Sequence, residues 1–441
     1  MQRASQTEAD DPSRKLGPFW LTPNITPLNG LTYFISAMLA IPMLAALSFL
    51  QPLMMRIVGV ERAIQGTLSG DLVFFQECIV LLVTPFVGAL TDKLGRKPLL
   101  LIGMSMLGTT YALYPFADSV AMMYAYRVFF ALGVAMVATT ITIVSADYVQ
   151  DRSRGTWVAT ASLTQGIGIF AVTQVLRRIP ANLAAGGANE AEIAKILFWG
   201  CMGICVGVLV FMAIGLSRRK PEHVDERESL LARVQSGFDA ARHDPRVALA
   251  YATAFAARGD LLVVSTFGFL WTQQAAEDLG LGAAEGLARG GMVIGIVQGC
   301  ALLWAPFMGK ILNHVDRATG VIIAFSLSAV GYTTFGLIDD PFSSRVIPAA
   351  VLLGVGEIST MISANALIGQ SAPASIRGSV LGCYALCGAA GLLFASAIGG
   401  RLFDLWMAGG PFVQMGVVNA VVLIAAIVVR RRTGLVKQQA E

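Results

Sequence analysis

Twelve separate stretches of this chain are each apolar for about 20 residues, the length an α-helix needs to cross a hydrocarbon core of about 30 Å. They lie at roughly 31–53, 68–90, 98–116, 120–146, 156–176, 194–216, 247–271, 288–309, 318–338, 346–369, 378–399 and 411–429. Hydrocarbon offers no water, so every backbone amide and carbonyl there must bond within the protein, which only helices and closed barrels achieve. The runs are continuous rather than alternating, and they read as helices. Pro42, Pro85 and Pro306 interrupt some of them, which spanning helices tolerate where neighbours satisfy the freed carbonyls. Composition agrees: 14% of residues are charged, against about a quarter in a soluble domain. The 46 glycines suit helices that pack backbone to backbone. An all-α membrane protein with twelve transmembrane helices is expected.

Lysine and arginine set the orientation. With both termini in the cytoplasm, the inner segments hold 22 of them and the outer loops eight, the bias of the positive-inside rule. The membrane expected is a bacterial inner membrane. Basic residues sorted by loop do not form a nucleic-acid surface, whatever the net charge of +4. The segment 1–30 is polar, so the first apolar run reads as a span and not as a cleaved leader. All six cysteines fall in apolar runs, Cys201/Cys205 and Cys383/Cys387 at i,i+4 spacing, while His223, His243 and His314 lie in loops. This is no metal-ligand set. There is no nucleophile, base and histidine constellation and no cofactor fingerprint, so neither an enzyme nor a bound cofactor is expected.

The most charged loop, 217–246, separates six spans from six, and it carries Leu230, Leu231, Val234 and Phe238 at near-helical spacing. An amphipathic helix on the inner membrane surface is expected there. The resulting plan is a cytoplasmic segment 1–30, a first bundle 31–216, the linker 217–246, a second bundle 247–430 and a tail 431–441. A repeat supports it. Pro85-Phe86-Val87-Gly88-Ala89-Leu90-Thr91-Asp92, at the end of the second run, returns at the end of the eighth as Pro306-Phe307-Met308-Gly309-Lys310-Ile311-Leu312-Asn313. Arg154-Gly155, before the fifth run, returns before the eleventh as Arg377-Gly378. Two echoes at nearly one offset indicate a duplicated six-helix unit, a common transporter architecture.

The loop Gly88-Ala89-Leu90-Thr91-Asp92-Lys93-Leu94-Gly95-Arg96-Lys97 strongly resembles the signature loop of the major facilitator superfamily, and residues 309–317 form a degenerate second copy. The resemblance implies two pseudo-symmetric six-helix bundles and transport by alternating access. It also implies a cytoplasmic latch between the halves, here Gly88, Asp92, Gly95 and Arg96, with Asp147 as the partner of Arg96 and Arg154 completing the cluster. On their own chemistry, Gly88 would let a neighbouring helix approach and Gly95 would allow a tight turn. Asn313 and Asp316-Arg317 replace Asp and Gly-Arg in the second copy, so its latch should be weaker.

Ionisable groups within spans are costly and are functional by default. Five stand out: Glu77, Arg127, Arg258, Asp260 and Glu357. The resemblance places the first, fourth, seventh and tenth spans around a central cavity, which would make Arg127, Arg258, Asp260 and Glu357 cavity residues. Three carboxylates against two arginines leave one carboxylate without a partner, the kind of group that loads and releases a proton. Glu77, Asp260 and Glu357 are the proton-coupling candidates. Residues two apart on a helix diverge, so Arg258 and Asp260 should not pair directly. Arg127, Arg258, Gln165, Gln298 and Asn365 are the candidates for the substrate cavity, with Ser363 beside them. Gly291, Gly295 and Gly299 make a flat face on the eighth span.

The function expected is a secondary active transporter, working as a monomer in the bilayer, that couples protons to a small organic solute. Two membrane arginines favour an anionic or zwitterionic solute. A multidrug efflux antiporter is the rival, but the fifth span has Gly166 and Gly168 with no Gly-Pro motif, and the sugar-porter signature after the sixth span is absent. A membrane sensor or lipid-handling protein is the alternative of another class; the linker is too short for a signalling domain. The topology has a direct check. A fluorescent protein fused to the C-terminus should fluoresce, and alkaline phosphatase fused after Asn189 should be active; the reverse pattern would overturn the orientation.

Overall fold

A computed structural model describes residues 15–217 and 230–433. Twelve long apolar helices dominate it. They are α1 (Pro27–Val58), α2 (Gln65–Leu94), α3 (Arg96–Leu113), α4 (Val120–Tyr148), α5 (Asp151–Leu176) and α6 (Glu190–Gly215). The second six are α7 (Pro245–Asp278), α8 (Ala283–His314), α9 (Arg317–Gly336), α10 (Val346–Ser371), α11 (Arg377–Leu405) and α12 (Gly410–Thr433). Most run past the apolar stretches, because capping and basic residues continue the helix beyond its apolar part. Asn189 and Glu192 close a capping box on α6, and Asp244 caps α7 ahead of Pro245.

The helices form two compact units, Met1–Val58 with Cys78–Val224, and Gly59–Glu77 with Asp225–Glu441. Within the first, α3 packs on α4 and α6, and α1 packs on α5 and α6. Within the second, α9 packs on α10 and α12, and α7 packs on α11 and α12. These four pairings recur in both. So do some close approaches. A Cβ on Gly168 of α5 would strike the Met38 carbonyl of α1. At the offset that relates Arg154 to Arg377, a Cβ on Gly391 of α11 would strike the Phe255 carbonyl of α7. Gly133 meets α3 at the Gly103 carbonyl, and Gly356, again at that offset, meets α9 at Ser328. Duplication is thus written in backbone contacts, where only glycine fits.

The outer part of α2 belongs to the second unit. Asp404 of α11 accepts the amides of Gly66 (2.9 Å) and Thr67 (2.6 Å) at the α2 N-terminus, which draws a carboxylate to the exposed donors there. Arg401 pairs with Asp71 (3.0 Å), Gln274 donates to Gln65 (3.0 Å), and Arg62 clamps Asp278 through both oxygens (2.5 and 2.6 Å). Packing therefore divides the chain within one helix, whereas the repeat divides it at the linker.

Two segments outside the twelve long helices also fold. The residues before α1 include a hairpin, Lys15–Leu16 paired with Phe19–Trp20, turned at Gly17 with φ +56°. It is fastened to the α4–α5 junction by Gln150 N–H donating to Trp20 O (2.9 Å), while Phe19 sits edge-on to the buried Trp157. In the linker, Leu230–His243 is helical, but Val234 packs into the core of the second unit, where the Cys383 thiol donates to its carbonyl and Tyr251 donates to Gly237 O (2.8 Å). Its apolar side is taken up in part by α7 and α11, while Phe238 stays exposed. Leu230 and Leu231 side chains lie outside the described residues, as do residues 434–441 of the expected tail.

Gly391→Val should drive a side chain into the Phe255 carbonyl and destabilise the second unit by about 1–3 kcal/mol, the usual range for overpacking. The melting temperature of purified protein reads this directly. Gly155→Ala, where a Cβ meets nothing, should leave it unchanged.

Candidate functional site

Arg258 and Asp260 leave α7 on different sides, Arg258 exposed and Asp260 fully buried. Asp260 points into the second unit, where three other helices converge on it. Asn419 Nδ2 of α12 donates to Oδ1 (2.8 Å), and the hydroxyls of Ser328 on α9 and Thr360 on α10 each approach Oδ2 at 3.3 Å. Asn419 Nδ2 also donates to Ser328 Oγ (3.0 Å). One turn before Thr360 lies half-buried Glu357, whose carbonyl accepts the Thr360 hydroxyl (2.8 Å). One turn after Ser328 is Tyr332, fully buried, and the charges of Asp260 and Glu357 both reach it. Among the described residues no lysine, arginine or histidine bonds Asp260. The cavity expected around Asp260 is thus corrected: the side chain is sealed inside a bundle of neutral partners.

The exposed side of the same unit carries a different group. Arg258 acts electrostatically on both Glu77, at the end of the α2 segment in this unit, and Tyr384 of α11. Tyr384 donates to Asn365 Oδ1 of α10 (3.1 Å), and Asn365 is itself exposed. Gly388 lies against the Arg258 stem, where a Cβ would come within 2.9 Å of Cγ. Four helices thus present a cation, a carboxylate, an amide and a phenol together. Gln298 of α8 is half-buried, its Oε1 without a hydrogen-bond partner among the described residues. Ser363 is buried and bonds Thr360 O (3.1 Å), so it serves α10 itself.

In the first unit, Arg127 is 1% exposed and donates to the buried Gln51 of α1, with the Phe130 ring 5.7 Å from its guanidinium carbon. It stands inside the bundle, not on an open wall, which revises its expected place in a cavity. Gln165 is half-buried on α5. At the signature loop, Gly95 adopts φ +92°, a conformation closed to side chains, and starts α3. That turn lets Arg96 donate to Asp147 (2.8 Å) and to Asp92 (3.3 Å). Arg154 stands apart, paired with Asp151 (2.8 Å). A Cβ on Gly88 would meet nothing within 4 Å, so the close approach expected there is not made. In the second copy, Asp316 caps α9 at Thr319 N (3.1 Å) and Arg317 donates to Leu312 O (2.6 Å): these charges serve helix ends.

The Major Facilitator Superfamily model matches residues 32–341 and 260–441. The chain belongs to the major facilitator superfamily. It is a membrane transporter and not an enzyme. It is 24% identical to the magnetosome protein MamH of Paramagnetospirillum magneticum, over 91% of this chain and 92% of MamH. It is also 24% identical to the magnetosome protein MamZ of Magnetospirillum gryphiswaldense, of whose length it spans 60%. Among solved structures, a mutant of the nucleoside transporter NupG superposes with a TM-score of 0.74 at 12% identity, over 91% of this chain and 99% of that one. The xylose transporter XylE from E. coli, in an inward open conformation, gives 0.68 at 13%, over 93% and 97%.

Reading the sequence missed Asn419, Ser328, Thr360, Tyr332, Tyr384 and Gln51. Spacing held a partial signal: Glu357 and Thr360, and Ser328 and Tyr332, stand one turn apart on their helices. The Arg127–Gln51 contact has its own check. Arg127→Met should remove one hydrogen bond from buried Gln51 and lower the melting temperature, at a cost of about 1–3 kcal/mol. Adding Gln51→Leu should recover most of that; no recovery would mean the contact is not what stabilises the pair.

Proposed function

We propose that this transporter works by alternating access, coupling the proton gradient to movement of a small anionic or zwitterionic organic solute, with Asp260 as the coupling carboxylate. One observation carries the reading: Asp260 is fully buried and its hydrogen-bond partners are all neutral. A buried carboxylate without a counter-ion is costly, and a bound proton removes the charge. Loading and unloading it therefore biases whichever state exposes or seals the site. Glu357, one turn from Thr360, and Glu77, near Arg258, are the auxiliary carboxylates. Arg258 supplies the recognition chemistry, since a guanidinium on an accessible face binds a carboxylate or phosphate by paired charge-assisted hydrogen bonds. Asn365 and Tyr384 add neutral donors and acceptors beside it. The protein acts as a monomer in the inner membrane with both termini in the cytoplasm.

Purified protein in liposomes with a trapped pH dye, challenged with a panel of amino acids, carboxylates and nucleosides, tests this. A transported solute should carry protons with it. Asp260→Asn should abolish gradient-driven accumulation while sparing solute exchange across the membrane. Arg258→Ala should raise the half-saturating solute concentration about tenfold or more, as expected for losing a charge-assisted bond. If Asp260→Asn, Glu357→Gln and Glu77→Gln each left accumulation intact, proton coupling through these groups would be wrong.

A further inference from the structure

The atoms around Asp260 are all hard oxygens or can become so. Both carboxylate oxygens, Ser328 Oγ, Thr360 Oγ1 and the Asn419 carboxamide come together from α7, α9, α10 and α12. The two hydroxyls stand 3.3 Å from Oδ2, which is long for an O–H···O bond, normally about 2.5–3.0 Å. The same spacing is also that of neighbouring ligands of one cation. At about 2.3–2.6 Å from an ion of calcium's size, oxygens at right angles to each other lie about 3.3–3.7 Å apart, and sodium is of that size.

Two buried groups are left over. Asn419 is 0% exposed, and its Oδ1 has no hydrogen-bond partner among the described residues, while its Nδ2 is spent on Asp260 and Ser328. Rotating the carboxamide by half a turn would direct that oxygen at the same two partners, which is unfavourable with nothing between them and favourable with a cation there. Tyr332 is 0% exposed and its hydroxyl is likewise unpartnered among the described residues, one turn from Ser328 and within reach of the Asp260 and Glu357 charges. A fully satisfied polar core would leave neither atom idle.

We infer that Asp260, Ser328, Thr360 and Asn419 form a sodium-binding cage inside the second six-helix unit, with Tyr332 and Glu357 at its edge. The donor set favours a monovalent ion. One carboxylate balances one positive charge among neutral oxygens, whereas calcium sites gather more anionic ligands. Sodium and a proton would then compete for Asp260, the acidic group of the hydrogen-bonded set. The other titratable groups facing it are Glu357 and Tyr332; Arg258, although two residues away, is turned to the exposed side. The inference rests on reading Asp260 as the coupling group, and it adds a second ion that the same group accepts.

Equilibrium binding of radioactive sodium to the purified full-length chain tests it without solute or transport. The expected result is saturable binding of one sodium per chain, displaced by unlabelled sodium and lithium but not by potassium, choline or calcium. The apparent affinity should weaken as pH falls, approaching about tenfold per pH unit where the proton dominates. Asp260→Asn and Asn419→Ala should each remove the binding. Ser328→Ala and Thr360→Val, which each delete one oxygen, should weaken it several-fold while the chain still shows a cooperative melting transition in sodium-free buffer. No saturable binding at any pH, displacement by calcium ahead of sodium, or binding that survives Asp260→Asn would each overturn the cage. Proton-driven accumulation in sodium-free liposomes is a separate measurement. Accumulation without sodium binding would sink the cage alone, and sodium binding with accumulation untouched by Asp260→Asn would sink the proton reading alone.

Discussion

A chain that crosses hydrocarbon cannot leave a backbone amide or carbonyl unbonded, and this constraint governs what the rest of the structure can be. Twelve helices satisfy it internally. Lipid then gives little reason for apolar side chains to leave it for one another, so helix association depends on close fit. Several tight fits are glycine against carbonyl: Gly168 on Met38, Gly391 on Phe255, Gly331 on Leu352, Gly354 on Val297. At each, a single methyl group would collide with backbone that cannot rotate away. These contacts set the distances at which side chains on facing helices meet, including those that surround Asp260.

The two halves share this frame and differ in what they bury. At the heart of the first is a cation, Arg127, on the amide of Gln51. The second has an anion, Asp260, on an amide and two hydroxyls. An arginine is protonated at any accessible pH, so its burial is a fixed feature. A carboxylate can be neutralised by a proton or a metal ion, so its burial is conditional. The same asymmetry appears at the signature loops. In the first half Arg96 bridges Asp92 and Asp147, whereas in the second Asp316 and Arg317 are absorbed into helix caps. Duplication supplied one scaffold, and the charges on it have diverged into separate roles.

The fold was largely legible because its cause is local. A run of about 20 apolar residues is a property of contiguous sequence, and the repeat offset that relates Arg154 to Arg377 also relates Gly168 to Gly391. The Gly95 turn was readable for the same reason. The site was legible only as a set of charged positions. Asp260 and Glu357 announce themselves because charge in a membrane is rare, but Ser328, Thr360 and Asn419 are ordinary membrane residues whose importance lies in meeting one carboxylate from three helices. Gly88 misled in the opposite direction: its type fits close packing, yet the space beside it is open. The outer end of α2 was invisible for a related reason, since Asp404 reaches Gly66 and Thr67 across most of the length of the chain.

Placement of the carboxylate follows from the helix period. Arg258 and Asp260 are separated by about 200° around α7, at 3.6 residues per turn. A single helix therefore shows a permanent cation to its exposed face and a neutralisable anion to its interior. On the proposed reading, solute chemistry and ion chemistry need not share space to be linked, because both would act on α7. An ion that discharges Asp260 would relieve the cost of its burial at the point where α9, α10 and α12 meet the helix, two residues from Arg258. An anion on Arg258 would act on the same turn from the other side. Close contacts flank this turn as well: Gly391 of α11 lies against the Phe255 backbone, and Gly259 of α7 lies against Met415 of α12.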